Sequence, residues 1–209
     1  GWGAPNKQGT KATHGEALGA DEVAAARQQL DWQSPPFVIP AEVSAAWDAR
    51  EAGAAAEKKW QRLWRRYQKD HPQRAAEFAR RMEHTLPSDW QEVAAAALSV
   101  AANTNGAQAT RASSQAVLNV LGPHLPELLG GSADLTGSVN TFRKDSRPIT
   151  PTSADGNYLY YGVREFAMTA MMNGLQLHGG FRPYGGTFLV FSDYARNAVR
   201  LAALMRQPI

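Results

Sequence analysis

This 209-residue chain predicts an α/β fold: a parallel sheet with helices on both faces, preceded by a helical linker. Three observations predict it. After residue 106, short apolar runs alternate with stretches of helical periodicity, the pattern of parallel strands joined by helices. Before it, residues 41–103 are Ala-rich and set charged against apolar residues at helical spacing. The two parts also differ in composition. All six tryptophans precede residue 91, whereas eleven of the eighteen glycines fall between 122 and 186.

Taken in order, residues 1–40 are loop-like, rich in Gly, Pro, Lys and Thr. A short helix is expected within them over Asp21–Arg27, with acids at its start and Arg27 near its end, as the helix dipole favours. Residues 41–105 form the linker, where Trp60, Leu63, Trp64 and Tyr67 share one helical face. Pro72 and Pro87 punctuate it. Ser88 followed by Gln91 reads as a capping box opening a helix over 89–102, and Asn103-Thr104-Asn105-Gly106 closes it as a C-cap or linker. Residues 106–209 then predict a helix near 110–121, strands near 127–131 and 158–161, a helix over 164–178, a strand near 187–191 and a helix over 192–206. Ligands of such sheets collect at the carboxyl ends of the strands, where Gly130-Gly131-Ser132 and Tyr161-Gly162 fall.

Composition narrows the function. The formal charge is +3; residues 1–105 hold 13 basic and 13 acidic side chains, and 106–209 hold 9 and 6. A mild cationic excess in the second part suits small phosphorylated ligands better than a duplex, which needs a dense basic face. With no cysteine, disulfides and thiolate metal sites are excluded. No apolar run approaches the length of a membrane span, and residues 1–6 are no signal peptide, so a cytoplasmic protein is the expectation. The chain opens on Gly1 and closes just after an amphipathic run, and it reads as a segment of something longer.

Several residues could carry chemistry. Glu165 opens an apolar helical stretch of Ala, Met, Leu and Phe, where an unpaired charge is expensive. Taken alone it reads first as a helix-dipole glutamate, the commoner fate of such a residue; the alternative is a proton-handling carboxyl. Phe188, Phe191 and Tyr194 could simply be core, and their spacing alone favours that reading. Asp134 follows Gly130-Gly131-Ser132 and suits an Asx-turn, a cap or a ligand contact. Arg111, taken singly, reads as a surface residue, but at the start of a helix, where the dipole disfavours a cation, it also suits an anionic partner. His14 lies in a Gly/Thr loop, where a histidine is ordinarily solvated; His124 and His178 read as structural. The basic residues between Lys58 and Arg81 are interrupted by Glu57, Asp70, Glu77 and Glu83, and read as a solvated helical face.

With Gly130-Gly131-Ser132-Ala133-Asp134-Leu135, Gly162-Val163-Arg164-Glu165-Phe166 and Phe188-Leu189-Val190-Phe191 in one chain, the sequence resembles the transketolase family of thiamine-diphosphate enzymes, over nearly its whole length. The resemblance implies an incomplete thiamine-diphosphate-binding fold. Residues 1–40 would be the tail of the diphosphate-binding domain, 41–105 the inter-domain linker and 106–209 the first half of the pyrimidine-binding domain. It further implies transfer of a two-carbon ketol unit from a ketose phosphate to an aldose phosphate. Glu165 would bond the cofactor's aminopyrimidine nitrogen and favour the tautomer that acts as base. Phe188, Phe191 and Tyr194 would line the ring pocket, Asp134 and Leu135 would support the bent cofactor, and Arg111 and Ser138 would anchor sugar phosphate. His14 would approach both diphosphate and substrate.

The family's Gly-Asp-Gly metal motif does not occur here, so a divalent cation (Mg or Ca) would be held by a part of the enzyme outside this chain. Active sites would lie between the subunits of a homodimer, His14 and Glu165 serving different sites, and the segment alone would be inactive. Nucleic acid and membrane are not expected partners. The rivals are dihydroxyacetone synthase, 1-deoxyxylulose-5-phosphate synthase, and a non-catalytic binding module that contacts an acidic partner or RNA through its basic helices.

Overall fold

The computed structural model describes residues 1–103 and 106–209, so the linker positions Thr104 and Asn105 lie outside the described residues. The chain divides into two compact units, 1–64 and 65–209. Helix α4, Arg50–Asp70, runs through the division, and Trp60 and Leu63 of its expected stripe stay exposed.

In the first unit, α1 (Ala12–Gly15), α2 (Ala20–Gln29) and α3 (Ala41–Trp47) precede the start of α4. The expected helix over Asp21–Arg27 lies inside α2. Glu22, in the first turn of α2, does more than answer the dipole. It is buried, and its carboxylate accepts hydrogen bonds from the Asn6 and Lys7 amides at 2.9 and 3.0 Å and from Asn6 Nδ2 at 2.9 Å. Asn6 chiefly, together with Lys7, holds its pKa below the usual carboxylate value.

The second unit is built around β1 (Leu128–Ser132), buried along its whole length. It pairs in parallel with β2 (Tyr158–Tyr160) on one side and β3 (Arg182–Pro183) on the other, in the order β2-β1-β3. Gly130 and Gly131 stand on opposite faces of β1, and a β-carbon on either would collide with the ring of Tyr184 or Tyr161. On the Gly131 face, Ala133, Tyr161, Met168 and Met172 form a buried cluster with Leu159 against it, which seats α9 (Glu165–His178) on the sheet. On the Gly130 face, Tyr158 packs edge-on against Phe142 at 4.9 Å, and Gln115 of α7 (Thr110–Leu121) donates to Phe142 O at 2.7 Å. Buried Ala195, Ala198 and Ala202 let α10 (Ser192–Leu204) lie close on α9, where Asn173 Nδ2 donates to Ala198 O at 2.9 Å.

The expected strand near 187–191 is not a strand. Leu189–Phe191 form a 3₁₀ turn leading into α10, and the pairing with β1 comes earlier, at β3 and the Ser132–Gly186 bridge. By Gly186 the length of β1 is used up, so the apolar run after it has no ladder to join. The capping box does not form either. Helix α6 (Trp90–Ala102) begins after Asp89 with no side-chain cap, and Asp89 instead accepts from His124 Nδ1 at 3.0 Å.

The basic face is solvated from Lys58 to Arg74 but not at its end. Arg80 of α5 (Pro72–Met82) reaches Glu127, 2% exposed, with Nη1 and Nη2 at 2.9 and 2.8 Å, and also grips Glu77. Burial would raise the Glu127 carboxyl, yet the hydrogen bonds and charge of Arg80 hold it below the usual value.

Candidate functional site

The carboxyl end of β1 is shaped by Ser132, whose hydroxyl donates to Gly186 O at 2.8 Å and accepts from Leu135 N at 3.1 Å. These bonds turn the chain away from the sheet, and Asp134 takes up a left-handed conformation at φ +62°. A non-glycine residue there stores about 1–3 kcal/mol of strain, which is characteristic of functional turns. Asp134 is exposed, and its carboxylate neither caps α8 (Thr136–Val139) nor makes an Asx-turn. Leu135 beside it is half-buried.

Gly162, at positive φ, follows β2 and leads into α9. Glu165, the first residue of that helix, is only 7% exposed. Its carboxylate accepts one long hydrogen bond, 3.5 Å from Thr187 Oγ1, while its backbone oxygen accepts from Thr169 Oγ1 at 3.0 Å. Such a carboxyl retains capacity for a stronger partner. Nearby in the fold Tyr161 OH is buried without a partner, and burial pushes this phenol up to about 12.

Beyond Thr187 the aromatic residues run along the 3₁₀ turn and into α10. The Phe188 and Phe191 centroids lie 5.6 Å apart, and those of Phe191 and Tyr194 5.9 Å apart, all tilted. They are not core. Phe188 is partly exposed and Tyr194 is 67% exposed, leaving ring faces open to a flat ligand.

A cavity of about 640 Å³ opens beside this turn. Thr110, Arg111 and Ser114 of α7 line it together with Ser138, Thr141 and the segment Tyr184–Leu189. Arg111 is exposed and meets no carboxylate among the described residues, so its guanidinium is available to an anion. The structure therefore brings Arg111, Ser138 and Phe188 to one cavity, next to the Thr187–Glu165 contact, with Asp134 and Leu135 on the adjoining turn. His14, expected in a loop, lies instead in the short helix α1 of the first unit, and is exposed. His124 and His178 are bonded to Asp89 and to Gly179 O. Thr187, Thr141, Tyr184 and the buried Arg143 were not predicted; none stands in a pattern distinct from an ordinary loop.

A parallel α/β unit with a cavity lined by Arg111, Ser138 and Phe188, beside the bridge from the carboxyl end of β1 to Gly186, has the arrangement of a ligand-binding α/β domain. Residues 106–209 match the family described as transketolase, pyrimidine binding domain, and residues 1–87 match transketolase, thiamine diphosphate binding domain. Over 206 residues the chain is 52% identical to transketolase 2 of Escherichia coli and 50% identical to transketolase 2 of Aliivibrio fischeri, with 99% of this chain and 31% of each relative covered. Among solved structures it is similar to a Pichia stipitis transketolase variant in complex with fructose 6-phosphate (TM-score 0.85, 36% identity, 100% of this chain and 31% of that one). A transketolase from Leishmania mexicana is similar to the same degree (TM-score 0.84, 36% identity, 99% and 30%). The chain belongs to the transketolase family. It spans about a third of the length of these relatives.

Proposed function

We propose that this transketolase segment serves an enzyme that moves a two-carbon ketol unit from a ketose phosphate to an aldose phosphate. The observation that carries the reading is the joining of Arg111, Ser138 and Phe188 in one cavity beside the buried Glu165 carboxyl. Thiamine diphosphate fits the residues present: a dry carboxyl with one long hydrogen bond, and aromatic faces left open. When bound, the cofactor supplies the nucleophilic carbon that accepts the two-carbon unit. Glu165 holds a proton at the aminopyrimidine nitrogen, and Phe188, Phe191 and Tyr194 orient the ring by stacking. Asp134 and Leu135 support the cofactor from the β1 turn. Arg111 and Ser138 bind the sugar phosphate through a charged fork and a hydroxyl. His14 contacts diphosphate and donor.

The partition into 1–40, 41–105 and 106–209, the divalent cation (Mg or Ca) held outside this chain, and the homodimer in which His14 and Glu165 serve different sites complete the reading. So do a place in the pentose phosphate pathway, a cytoplasmic location and inactivity of the segment alone. Product analysis of the full-length enzyme tests it. Transfer between a ketose phosphate and an aldose phosphate is the expected outcome; failure to form those products from such a pair would overturn it.

A further inference from the structure

Arg143 is a buried cation that the chemistry above does not use. Its side chain is 0% exposed. Nε donates to Asp145 Oδ1 at 2.7 Å, and Nη1 donates to Leu128 O at 3.1 Å and to Tyr184 OH at 3.4 Å. The guanidinium carbon lies 5.9 Å from the centre of the Tyr184 ring. The side chain passes over Gly122, just after α7, where any β-carbon would meet Nε. Nη2 is buried with no hydrogen-bond partner. A charge held this way is expensive, and removing it for a well-packed apolar group is often neutral or better for stability. Stability alone is therefore a weak account of it.

Its contacts point to another. They reach the foot of α7, the start of β1 and the segment after β3, and Tyr184 OH donates in turn to Thr141 O at 2.8 Å. Burial raises the Tyr184 phenol, which keeps it a neutral donor. The cavity takes its walls from the same places: Thr110 and Arg111 from α7, Thr141, and Tyr184 onward. We infer that Arg143 is a positioning residue for sugar-phosphate recognition, holding the Tyr184–Thr141 wall in register with Arg111 and Ser138. This rests on the reading of the cavity as the sugar-phosphate site. Lysine cannot replace it, because a single ammonium cannot serve Asp145, the Leu128 carbonyl and Tyr184 from the fork's positions.

The test uses the full-length enzyme with Arg143→Lys, Tyr184→Phe and the double variant, assayed with a phosphorylated and an unphosphorylated ketose donor. Tyr184→Phe keeps the ring on Gly130 and removes only the hydroxyl, so it reports even where Arg143→Lys folds poorly. Each single variant should raise KM for the phosphorylated donor by about three- to tenfold, more than it lowers kcat, with little change for the unphosphorylated donor. The double variant should be no worse than the weaker single one, as expected of residues acting as a unit. Loss of melting temperature with both KM values unchanged, or equal loss on both donors, overturns the inference. Arg111→Ala is the control. If it shifts KM for the phosphorylated donor and the other variants do not, this inference alone fails; if it shifts nothing, the phosphate reading falls and this one with it.

Discussion

Glu165 sits at the start of α9 with one long hydrogen bond and almost no solvent, a placement that makes sense for a carboxyl waiting on a ligand. In the complete enzyme, Glu165→Gln keeps the shape but cannot share a proton. Turnover should nearly vanish while the protein stays folded. Exchange of the cofactor's C2 proton with deuterium, followed by NMR, should slow by several powers of ten, each worth about 1.4 kcal/mol of barrier. Wild-type exchange and turnover in the Gln variant would make Glu165 structural. Arg111→Ala removes a contact that ground and transition states share, so it should raise KM for phosphorylated sugars by the equivalent of about 1.5–3 kcal/mol and spare kcat. Unphosphorylated ketoses should hardly respond. Glu165, Arg111 and Ser138 could be proposed from the sequence because each motif is local in it. Arg143 could not: an arginine in Phe142-Arg143-Lys144-Asp145 looks like a surface residue until Leu128 and Tyr184, far along the chain, close over it.

The same distinction governs the elements. Helices α7 and α9 appear where the periodicity predicts them, since that signal is internal to each helix. The run Leu189–Phe191 has the composition of a strand, but a strand also needs a partner, and β1 ends at Ser132 opposite Gly186. Likewise the anchorage of α5 depends on a pair 47 positions apart, Arg80 and Glu127. Glu127→Gln should destabilise the protein by about 3 kcal/mol in urea unfolding at neutral pH, because it leaves Arg80 short of one carboxylate at a nearly dry site. The pair also sets an acid limit. The hydrogen bonds from Arg80, the largest cause, and from Arg81 lower Glu77 from its usual 4.5 to about 2, and Glu127 is lowered as well. Both folded pKa values lie below the unfolded ones. This stabilisation is therefore complete above about pH 4.5 and is lost as pH falls toward 2. The urea midpoint of the wild type should drop through that window more steeply than that of Glu127→Gln; parallel curves would show that the pair contributes no pH dependence.

At the scale of the whole molecule, the change of composition near residue 106 was legible, but the division of the fold at 64 was not, because it falls inside the unbroken helix α4. The two units differ in what they bury. Among the described residues of 1–64 only Gly3, Ala4 and Glu22 are buried, and none brings a large apolar side chain, whereas 65–209 encloses a full strand and the Met168–Met172 cluster. His14, the residue proposed to meet the diphosphate, thus stands on a unit with almost no apolar core of its own. Glu165 and the aromatic turn, by contrast, are held by α9 and α10. On the proposed reading, a chain without a Gly-Asp-Gly motif would offer the diphosphate and its cation few of the charge-paired contacts such binding needs. The isolated 209-residue chain should therefore show no ketol transfer and bind thiamine diphosphate weakly in calorimetry, with no strengthening on addition of magnesium. Stacking and the Glu165 hydrogen bond would supply what little affinity remains, so Glu165→Ala should abolish it. Tight, magnesium-dependent binding by the isolated chain would mean that these residues hold a diphosphate site of their own.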